Sequence, residues 1–229
     1  MPKIAVILVA GGSGSRMGAA IPKQFLELHG QPILAVTLRR FLRVLPDSEI
    51  TVALPEAELV RWDALARQYG LLGSHRVCIG GATRFESVRN ALQTVSDCDY
   101  IAVHDAVRPF VSRQLIDNCL ATAIKYGAAV PAVTPVDSYR MVEPDGSNLH
   151  IDRNTLRIVQ TPQVFRADLL REAYRTEFRD TFTDDASVVE AAGHGIALCS
   201  GDRFNIKITS PEDMTIAETI FEFIDQHNI

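Results

Sequence analysis

Near its start the chain has the apolar run Ile4-Ala5-Val6-Ile7-Leu8-Val9-Ala10, which is followed directly by Gly11-Gly12-Ser13-Gly14-Ser15-Arg16-Met17-Gly18. A continuous apolar run of this length is typical of a strand that is buried on both faces, as in a parallel sheet. Glycines directly after such a strand let backbone N–H groups approach a phosphate chain closely. This stretch therefore predicts a buried first strand that ends in an anion-binding loop.

The loop matches neither of the two common nucleotide motifs. The third position after Gly14 is Met17, which departs from the dinucleotide fingerprint, and no Gly-Lys-Ser/Thr follows as in a Walker loop. Its distinguishing feature is a pair of cations, Arg16 and Lys23. Fixed cations stabilise the charge that develops when a phosphoryl group is transferred. The loop and the pair together favour a triphosphate site over a tight turn with two solvated basic residues.

Working outward, further apolar runs alternate with helix-length segments whose apolar residues recur at three- and four-residue spacing. That alternation predicts right-handed β-α-β crossovers, and so an α/β fold with a mostly parallel twisted sheet and helices on both faces. Ligands of such sheets lie at the carboxyl ends of the strands. The predicted strands are 4–10, 49–54, 76–79, 100–104 and 128–133, and the predicted helices are 32–44, 57–69, 83–95 and 114–126. Thr83 and Glu86 predict a capping box at the start of the third helix, and Gly127 predicts the end of the fourth.

The pattern changes after residue 135. Residues 135–158 alternate polar and apolar side chains around Glu143-Pro144-Asp145-Gly146, which predicts a β-hairpin. The two flanks of this turn show no strong burial on both faces. We therefore expect an arm at about 136–158 that protrudes from the sheet and packs on a second subunit.

Beyond the arm the pattern returns to helices and a strand. It predicts helices over 166–178 and 183–192, the second with Thr183 as its N-cap, and a last strand over 205–209. A C-terminal helix follows Ser210-Pro211-Glu212-Asp213. No repeat or linker divides residues 1–229, which we expect to form a single domain.

Composition narrows the class of protein. Of the 229 residues, 47% are hydrophobic and 22% are charged, values that favour a folded globular chain over a disordered one. The net charge of −5 provides no bulk field for nucleic acid or an anionic membrane, so we expect neither as a partner. No apolar run is long enough for a membrane span, and the N-terminus is too short for a signal sequence. The four cysteines have no C-x-x-C spacing, which argues against zinc and predicts a reduced, cytoplasmic protein.

A second motif, Val103-His104-Asp105-Ala106-Val107-Arg108-Pro109, stands at the end of the fourth predicted strand. A carboxylate at that end can bind Mg²⁺ directly, and the ion keeps waters and phosphate oxygens as its other ligands. Asp105 fits this role, and Arg108 can clamp a second anion. Read alone, such an aspartate is about as often a turn or helix cap, and His104 is more often a structural residue than a base.

Lys207 interrupts the strand-like run Asn205-Ile206-Lys207-Ile208-Thr209. A lysine between β-branched neighbours is either a charge that protects an edge strand or a cation directed into a site. On its own, the pattern favours the edge strand.

Taken together, these motifs resemble the cytidylyltransferases that make 4-diphosphocytidyl-2-C-methyl-D-erythritol from CTP and 2-C-methyl-D-erythritol 4-phosphate. The resemblance covers essentially the whole chain, in separate blocks that occur in order. The blocks are Ala10-Gly11-Gly12-x-Gly14-x-Arg16-Met17 with Pro22-Lys23-Gln24, Gly80-Gly81-x-x-Arg84 with Ser87-Val88, His104 to Pro109, Asp152-Arg153, Thr161-Pro162-Gln163-x-Phe165, Thr183-Asp184-Asp185-Ala186, and Asn205 to Thr209.

The resemblance implies a Rossmann-like nucleotidyltransferase fold, Mg²⁺-dependent transfer of CMP from CTP, and a homodimer joined by the arm. It implies that Arg16, Lys23 and Lys207 stabilise the α-phosphorus and that Asp105 holds Mg²⁺. The nucleotide site would also include Ala10, Gly11, Gly12, Gly14, Gly81 and Ser87, and the acceptor site would comprise Arg108, Ser138, Thr161 and, from the arm of the other subunit, Arg153.

The chain departs from the family pattern at two places. Where many members have Asp-Thr-x-Lys at the base of the arm, this chain has Asp137-Ser138-Tyr139-Arg140, which keeps a hydroxyl and a cation but alters their reach. Position 82, often acidic in the family, is Ala82. The first departure bears on the acceptor site and the second on the nucleotide site.

Two alternative functions stay open. A ribitol 5-phosphate cytidylyltransferase shares the glycine loop and the His104 to Pro109 block, although Asp152-Arg153-Asn154 favours methylerythritol phosphate. A non-catalytic nucleotide-binding module is a more distant alternative. Such a module has no need of Lys23, Lys207 or Asp105, and this chain has all three.

Overall fold

The structure is a computed structural model that describes residues 2–11 and 21–227. Its elements alternate along the chain as the sequence pattern predicts. The strands are β1 (Ile4–Val9), β2 (Glu27–Leu28), β3 (Gln31–Pro32), β4 (Glu49–Leu54), β5 (Arg76–Ile79), β6 (Tyr100–Asp105), β7 (Ala128–Val133), β8 (Tyr139–Val142), β9 (Asn148–Ile151), β10 (Ile158–Val159), β11 (Gln163–Arg166) and β12 (Ala197–Ser200). The helices are α1 (Ile33–Val44), α2 (Leu59–Gln68), α3 (Arg84–Thr94), α4 (Arg113–Tyr126), α5 (Ala167–Ala173), α6 (Asp185–Ala191) and α7 (Pro211–His227).

The main sheet has eight strands, in the order β10-β7-β11-β6-β1-β4-β5, with β12 paired to β7. Strands β5, β4, β1 and β6 are parallel to one another, and β12 is parallel to β7. Strand β11 lies antiparallel between β6 and β7. The predicted mostly parallel sheet is confirmed, and β1 lies inside it with partners on both sides.

Side chains of β1 alternate between the two faces of the sheet, and both faces are covered. Val6 and Leu8 belong to an apolar cluster with residues of α1, α2 and α4. Ala5 and Ile7 belong to a second cluster with residues of α3, α5 and α6. Because successive side chains of a strand point to opposite faces, a strand covered on both sides must be apolar throughout. This explains the uninterrupted apolar run at the start of the chain.

A third apolar cluster forms where α7 packs against the loop after β6. It joins Val107 and Phe110 of that loop to Ile208 and to Ala217 and Ile220 of the helix. The cluster anchors the segments on either side of the pocket described below. None of the helices among residues 2–11 and 21–227 combines the length and the apolarity needed to cross a bilayer.

Two helix ends follow their sequence signals. Helix α3 has a capping box in which the Glu86 N–H donates to the Thr83 hydroxyl at 3.1 Å and the Thr83 N–H donates to the Glu86 carboxylate at 3.0 Å. Helix α4 ends at Gly127, whose φ of 86° is in the left-handed region that favours glycine. Both predictions are confirmed.

Three of the later predictions are wrong. Asp184, and not Thr183, is the N-cap of α6, because its carboxylate accepts the N–H of Ser187 at 2.9 Å. The helix predicted over 166–178 is shorter than expected, because α5 ends at Ala173 and Tyr174 is its C-cap. That ring packs inward on Phe85, and its hydroxyl donates to a buried carboxylate. Tertiary contacts therefore override the helical pattern.

Residues 205–209 do not form the predicted strand. The Ile208 N–H donates to the Val107 carbonyl at 3.0 Å, and the Thr209 N–H donates to the Asp213 carboxylate at 2.7 Å. These partners belong to a loop and to a side chain of α7. The segment is therefore fixed in place without joining the sheet.

The predicted hairpin is confirmed as strands β8 and β9, which form a separate two-stranded antiparallel sheet. In its register Tyr139 faces Ile151 and Met141 faces Leu149, so these four side chains share one face. Met141 and Leu149 are 45% and 57% exposed. The arm thus presents an apolar face that the other described residues leave exposed at Met141 and Leu149.

Candidate functional site

A pocket of about 380 Å³ lies at the carboxyl ends of β1 and β6 and beside the first turn of α3. This is the edge of the sheet where ligands of parallel α/β folds bind. The residues that line it are Val9, Ala10, Gly11, Lys23, Gln24, Gly81, Ala82, Thr83, Arg84, Ser87, Asp105, Val107 and Lys207.

The pocket brings together residues that the sequence analysis chose from four separate segments. They are Ala10, Gly11, Lys23, Gly81, Ser87, Asp105 and Lys207. The predicted residues Gly12, Gly14 and Arg16 lie outside the described part of the chain. Neither Ser138 nor Arg153 is among the described residues that line the pocket.

One wall of the pocket includes Gly11 and Gly81, which both lie close to Ser87. The buried Ser87 hydroxyl accepts the Gly81 N–H at 3.0 Å and donates to the Thr83 carbonyl at 2.9 Å. A Cβ at Gly81 would collide with Glu86, and a Cβ at Gly11 would lie 3.1 Å from the Ser87 oxygen. Glu86 therefore requires glycine at position 81, and Ser87 leaves little room for a larger residue at position 11.

Lys23 reaches the pocket from a short 3-10 turn, Lys23–Phe25. The next residue, Gln24, is buried, and its side-chain amide donates to the Ala10 carbonyl at 2.7 Å, just past the end of β1. This bond ties the turn to the sheet and fixes the backbone from which Lys23 extends. Gln24 stands in the block Pro22-Lys23-Gln24, but no local pattern in the sequence indicates this bond.

Three cations surround the Asp105 carboxylate at the end of β6. Oδ1 lies 3.2 Å from Nε of Arg84, and Oδ2 lies 2.8 Å from Nζ of Lys207 and 3.7 Å from Nε of Arg108. Burial alone would raise the pKa of Asp105, but Arg84, Lys207 and Arg108 together hold that pKa well below its ordinary value. Asp105 is therefore an ionised carboxylate in the pocket wall.

The structure decides between the two interpretations of Lys207. Its segment is not an edge strand, so the edge-protecting interpretation is wrong. The neighbouring Ile208 is fully buried beneath α7, while the Lys207 side chain is 39% exposed and directed at Asp105. A flexible, half-exposed ammonium on a firmly anchored backbone can exchange one anionic partner for another.

His104 and Thr161 form a buried chain of hydrogen bonds behind Asp105. The Thr161 hydroxyl accepts the Asp105 N–H at 3.0 Å and lies 3.1 Å from Nδ1 of His104, and Nε2 of His104 lies 3.0 Å from the Arg108 carbonyl. Since a carbonyl only accepts, Nε2 carries the proton and Nδ1 accepts from Thr161. Burial lowers the pKa of His104 to about 4. His104 is thus a neutral structural residue, as the sequence analysis favoured.

Arg108 lies beside the pocket and is 12% exposed. One of its terminal nitrogens donates to the Asn205 carbonyl at 2.8 Å. Its buried Nε has no hydrogen-bond partner among residues 2–11 and 21–227. The nearby Oδ2 of Asp105, at 3.7 Å, is beyond hydrogen-bond distance, and a buried donor without a hydrogen bond is costly, so this guanidinium is suited to an additional anion.

The residues present fit a single magnesium ion. No group of three or more His, Cys, Asp and Glu side chains that could hold a metal occurs in the described part of the chain. Mg²⁺ bound with a nucleotide needs only one or two carboxylates, because phosphate oxygens and waters complete its shell. Asp105, ionised and in the pocket wall, has the chemistry of such a ligand.

Nearly the whole sequence is similar to one family of known proteins. Residues 4–223 match the profile of a family described as 2-C-methyl-D-erythritol 4-phosphate cytidylyltransferase. The chain belongs to this cytidylyltransferase family. The resemblance inferred from the motifs is confirmed, and with it the class of enzyme, a nucleotidyltransferase.

Curated relatives agree with this assignment to the cytidylyltransferase family. A 2-C-methyl-D-erythritol 4-phosphate cytidylyltransferase of Phocaeicola vulgatus is 45% identical over 215 residues, which cover 94% of this chain and 98% of that protein. One of Porphyromonas gingivalis is 46% identical, with 93% and 96% covered.

Solved structures agree as well. The Thermus thermophilus cytidylyltransferase superposes with a TM-score of 0.76 at 33% identity and covers 96% of this chain and 99% of its own. The 4-diphosphocytidyl-2C-methyl-D-erythritol synthase of Anaerococcus prevotii gives 0.82 at 26% identity, with the same coverage. The predicted Rossmann-like nucleotidyltransferase fold is confirmed.

Proposed function

We propose that this chain transfers CMP from CTP to 2-C-methyl-D-erythritol 4-phosphate, giving 4-diphosphocytidyl-2-C-methyl-D-erythritol and pyrophosphate, a step of non-mevalonate isoprenoid precursor synthesis. The observation that carries the proposal is the convergence of Lys23, Lys207 and Asp105 on one pocket at the strand ends of a cytidylyltransferase fold. We also propose that the reaction takes place in the cytoplasm.

The reaction needs positioned charge more than it needs a base. The attacking atom is an oxygen of the acceptor's phosphate, which is already anionic near neutral pH. It attacks the α-phosphorus in line, and pyrophosphate leaves opposite to it. His104, with both ring nitrogens engaged in hydrogen bonds, is not available to take a proton. Orientation and charge neutralisation therefore supply most of the rate.

The cations divide between the two substrates. Lys23 and Lys207 line the pocket, where they face the triphosphate and stabilise the charge that develops at the α-phosphorus. The family resemblance gives Arg16, outside the described residues, the same role. Asp105 would hold Mg²⁺, which neutralises phosphate charge when bound. Arg108, whose Nε makes no hydrogen bond to a described residue, takes the acceptor's phosphate. Thr161, expected in the acceptor site, instead supports the pocket wall from behind, because it is buried and its hydroxyl is engaged with Asp105 and His104.

The cytosine lies against the glycine wall. Main-chain groups at Ala10, Gly11 and Gly81 line this side of the pocket, and Ser87 fixes their spacing. Recognition through main-chain groups makes the departure at Ala82 a small one, since its backbone is still in place.

The acceptor half of the site draws on a second subunit. Ser138 and Arg153 lie on the exposed arm, whose uncovered apolar face is suited to packing on another copy of the chain. We infer a homodimer in which the arm of each subunit places Arg153 beside the pocket of the other. Such a closed, two-fold arrangement is the commonest form of homo-oligomer.

The direct test is pyrophosphate release from CTP and Mg²⁺ with 2-C-methyl-D-erythritol 4-phosphate or D-ribitol 5-phosphate in separate reactions. We expect release with the methylerythritol acceptor and none after chelation of the metal. Release with ribitol phosphate alone would transfer the function to the sister family and direct attention to Ser138. Binding of CTP without release under either acceptor would indicate the non-catalytic module.

A further inference from the structure

A buried ion pair lies directly behind the Asp105 carboxylate. Asp185, the first residue of α6, is fully buried, and its Oδ2 accepts from a terminal nitrogen of Arg84 at 2.7 Å. Its Oδ1 accepts from the Tyr174 hydroxyl at 2.6 Å. The cationic Arg84 and the hydroxyl thus compensate a carboxylate that burial would otherwise make very costly.

Arg84 links this buried pair to the pocket. It is the first residue of α3, and while its terminal nitrogen holds Asp185, its Nε faces Oδ1 of Asp105 at 3.2 Å. Tyr174, the other partner of Asp185, is itself fixed by stacking on Phe85 at 4.8 Å between ring centroids. The guanidinium is therefore bound by Asp185 on the side away from the pocket and by Asp105 on the pocket side, and its planar shape fixes its orientation.

The two oxygens of Asp105 consequently have different partners. Oδ1 is bound by Arg84, whose side chain is 26% exposed and fixed by Asp185. Oδ2 is bound by Lys207, whose side chain is 39% exposed, and lies 3.7 Å from Nε of Arg108. In the proposed reaction Lys207 turns to the nucleotide and Arg108 to the acceptor's phosphate, which frees Oδ2, while Arg84, held by Asp185, stays at Oδ1.

We propose that Arg84 is a positioning residue for cytidylyl transfer: anchored by Asp185 and Tyr174, it fixes Asp105 through Oδ1 and leaves Oδ2 as the oxygen directed at the metal–nucleotide complex. The inference rests on the proposed function, because it requires Lys207 to exchange Asp105 for a phosphate. Arg84 itself acts through Asp105 and not on the reacting atoms.

The sharpest variant is Arg84→Lys. A lysine keeps the charge and can pair with Asp185 or with Asp105, but its single ammonium does not span both carboxylates as the guanidinium does. The matched control is Arg89→Lys on the same helix, because Arg89 lies over the Phe85 ring and is not among the described pocket-lining residues. Each protein is assayed for its melting temperature, for CTP affinity with and without Mg²⁺ by calorimetry, and for kcat and KM.

We expect Arg84→Lys to lower kcat by about 10- to 100-fold and to reduce by a similar factor the gain in CTP affinity that Mg²⁺ provides, as is usual when the partner of a metal ligand is replaced. CTP affinity without metal and the melting temperature stay close to those of the Arg89→Lys control. An unchanged gain in affinity from Mg²⁺, or a loss of kcat that only follows a loss of folded protein, would overturn the proposal.

Tyr174→Phe provides a second test that does not alter either charge of the pair. Removing one hydroxyl loosens the anchor, so we expect the same pattern at about threefold to tenfold. A melting temperature that falls while the gain in affinity from Mg²⁺ stays wild-type would contradict the positioning role. Both affinity measurements omit the acceptor. Wild-type enzyme that binds CTP with Mg²⁺ but never releases pyrophosphate would therefore refute the proposed function. The CTP affinities of the variants would still test the positioning role of Arg84.

Discussion

The pocket and the arm carry their cations in opposite ways. In the pocket Arg84 and Lys207 converge on one buried carboxylate, and Arg84 is bonded on two sides. On the arm Arg153 and Arg157 are exposed, and the hydrogen bonds they make within the chain go to nearby backbone carbonyls, those of Val136, Asn154 and Leu156. The cations of the pocket are paired within one chain, whereas the exposed arginines of the arm are suited to a partner outside it.

This difference matches the proposed division of labour. A triphosphate must meet charges whose backbone is already in place, because stabilisation of a transition state is weakened when its groups must reorganise. Lys207 changes only the anion to which its side chain is paired. An arm that serves a neighbouring subunit must instead stay exposed in its own chain. The comparison predicts that damage to the pocket affects chemistry, whereas damage to the arm affects acceptor binding and assembly.

The largest effect is expected in the pocket. Lys207→Ala removes a cation that faces the α-phosphate, so turnover should fall on the order of 10²–10³-fold, while the protein stays a dimer. The control is Lys125→Ala, which removes an exposed lysine that lies over the Tyr126 ring at the end of α4. Steady-state pyrophosphate release measures both. A fall smaller than about threefold, the size of an ordinary surface substitution, would remove Lys207 from its role.

An intermediate effect is expected from the arm cation. Arg153→Ala deletes a charged hydrogen bond to the acceptor's phosphate, so the KM for the acceptor should rise about 10- to 100-fold. The KM for CTP should not change, since the nucleotide pocket is untouched. Arg157→Ala on the same arm is the matched control. A parallel rise of both KM values would show that the arm and the pocket are not separate.

The smallest effect on turnover is expected from the apolar face of the arm. Met141→Asp places a charge among Tyr139, Leu149 and Ile151, and should weaken the dimer at least about tenfold, as seen by sedimentation. Its control is Val142→Asp, because Val142 is 69% exposed and lies on the opposite face of the hairpin. CTP affinity should be the same in both. Equal dissociation by the two variants would place the interface elsewhere.

Local signals explain what the sequence predicts well. Strand β1 and the capping box of α3 follow from the residues of those segments alone, and both are as predicted. Strands β11 and β12 are not predicted, since each has four residues and pairs with strands distant in sequence. The segment 205–209 is the opposite case, a strand that is predicted but not formed. Its apolar residues are strand-like in sequence because they pack under α7.

The residues of the site also fall into two groups, those that local motifs indicate and those that depend on contacts between distant segments. Lys23, Asp105 and Lys207 are marked by their motifs, and they do meet in one pocket. Arg84 and Asp185 stand in two quoted blocks, yet 101 residues separate them, and nothing local to either indicates a partner. A charged residue at the first position of a helix after a glycine turn is the one signal that marks Arg84.

The most direct test of the account is a heterodimer of Lys207→Ala and Arg153→Ala subunits, purified through two different tags. If Arg153 serves the neighbouring pocket, one of the two sites holds both residues, and at low acceptor concentration the rate should recover to about half that of wild type. The mirror pairing, a wild-type subunit with a subunit carrying both substitutions, should stay inactive. The reverse outcome, an inactive first pairing and an active mirror, would contradict the shared site.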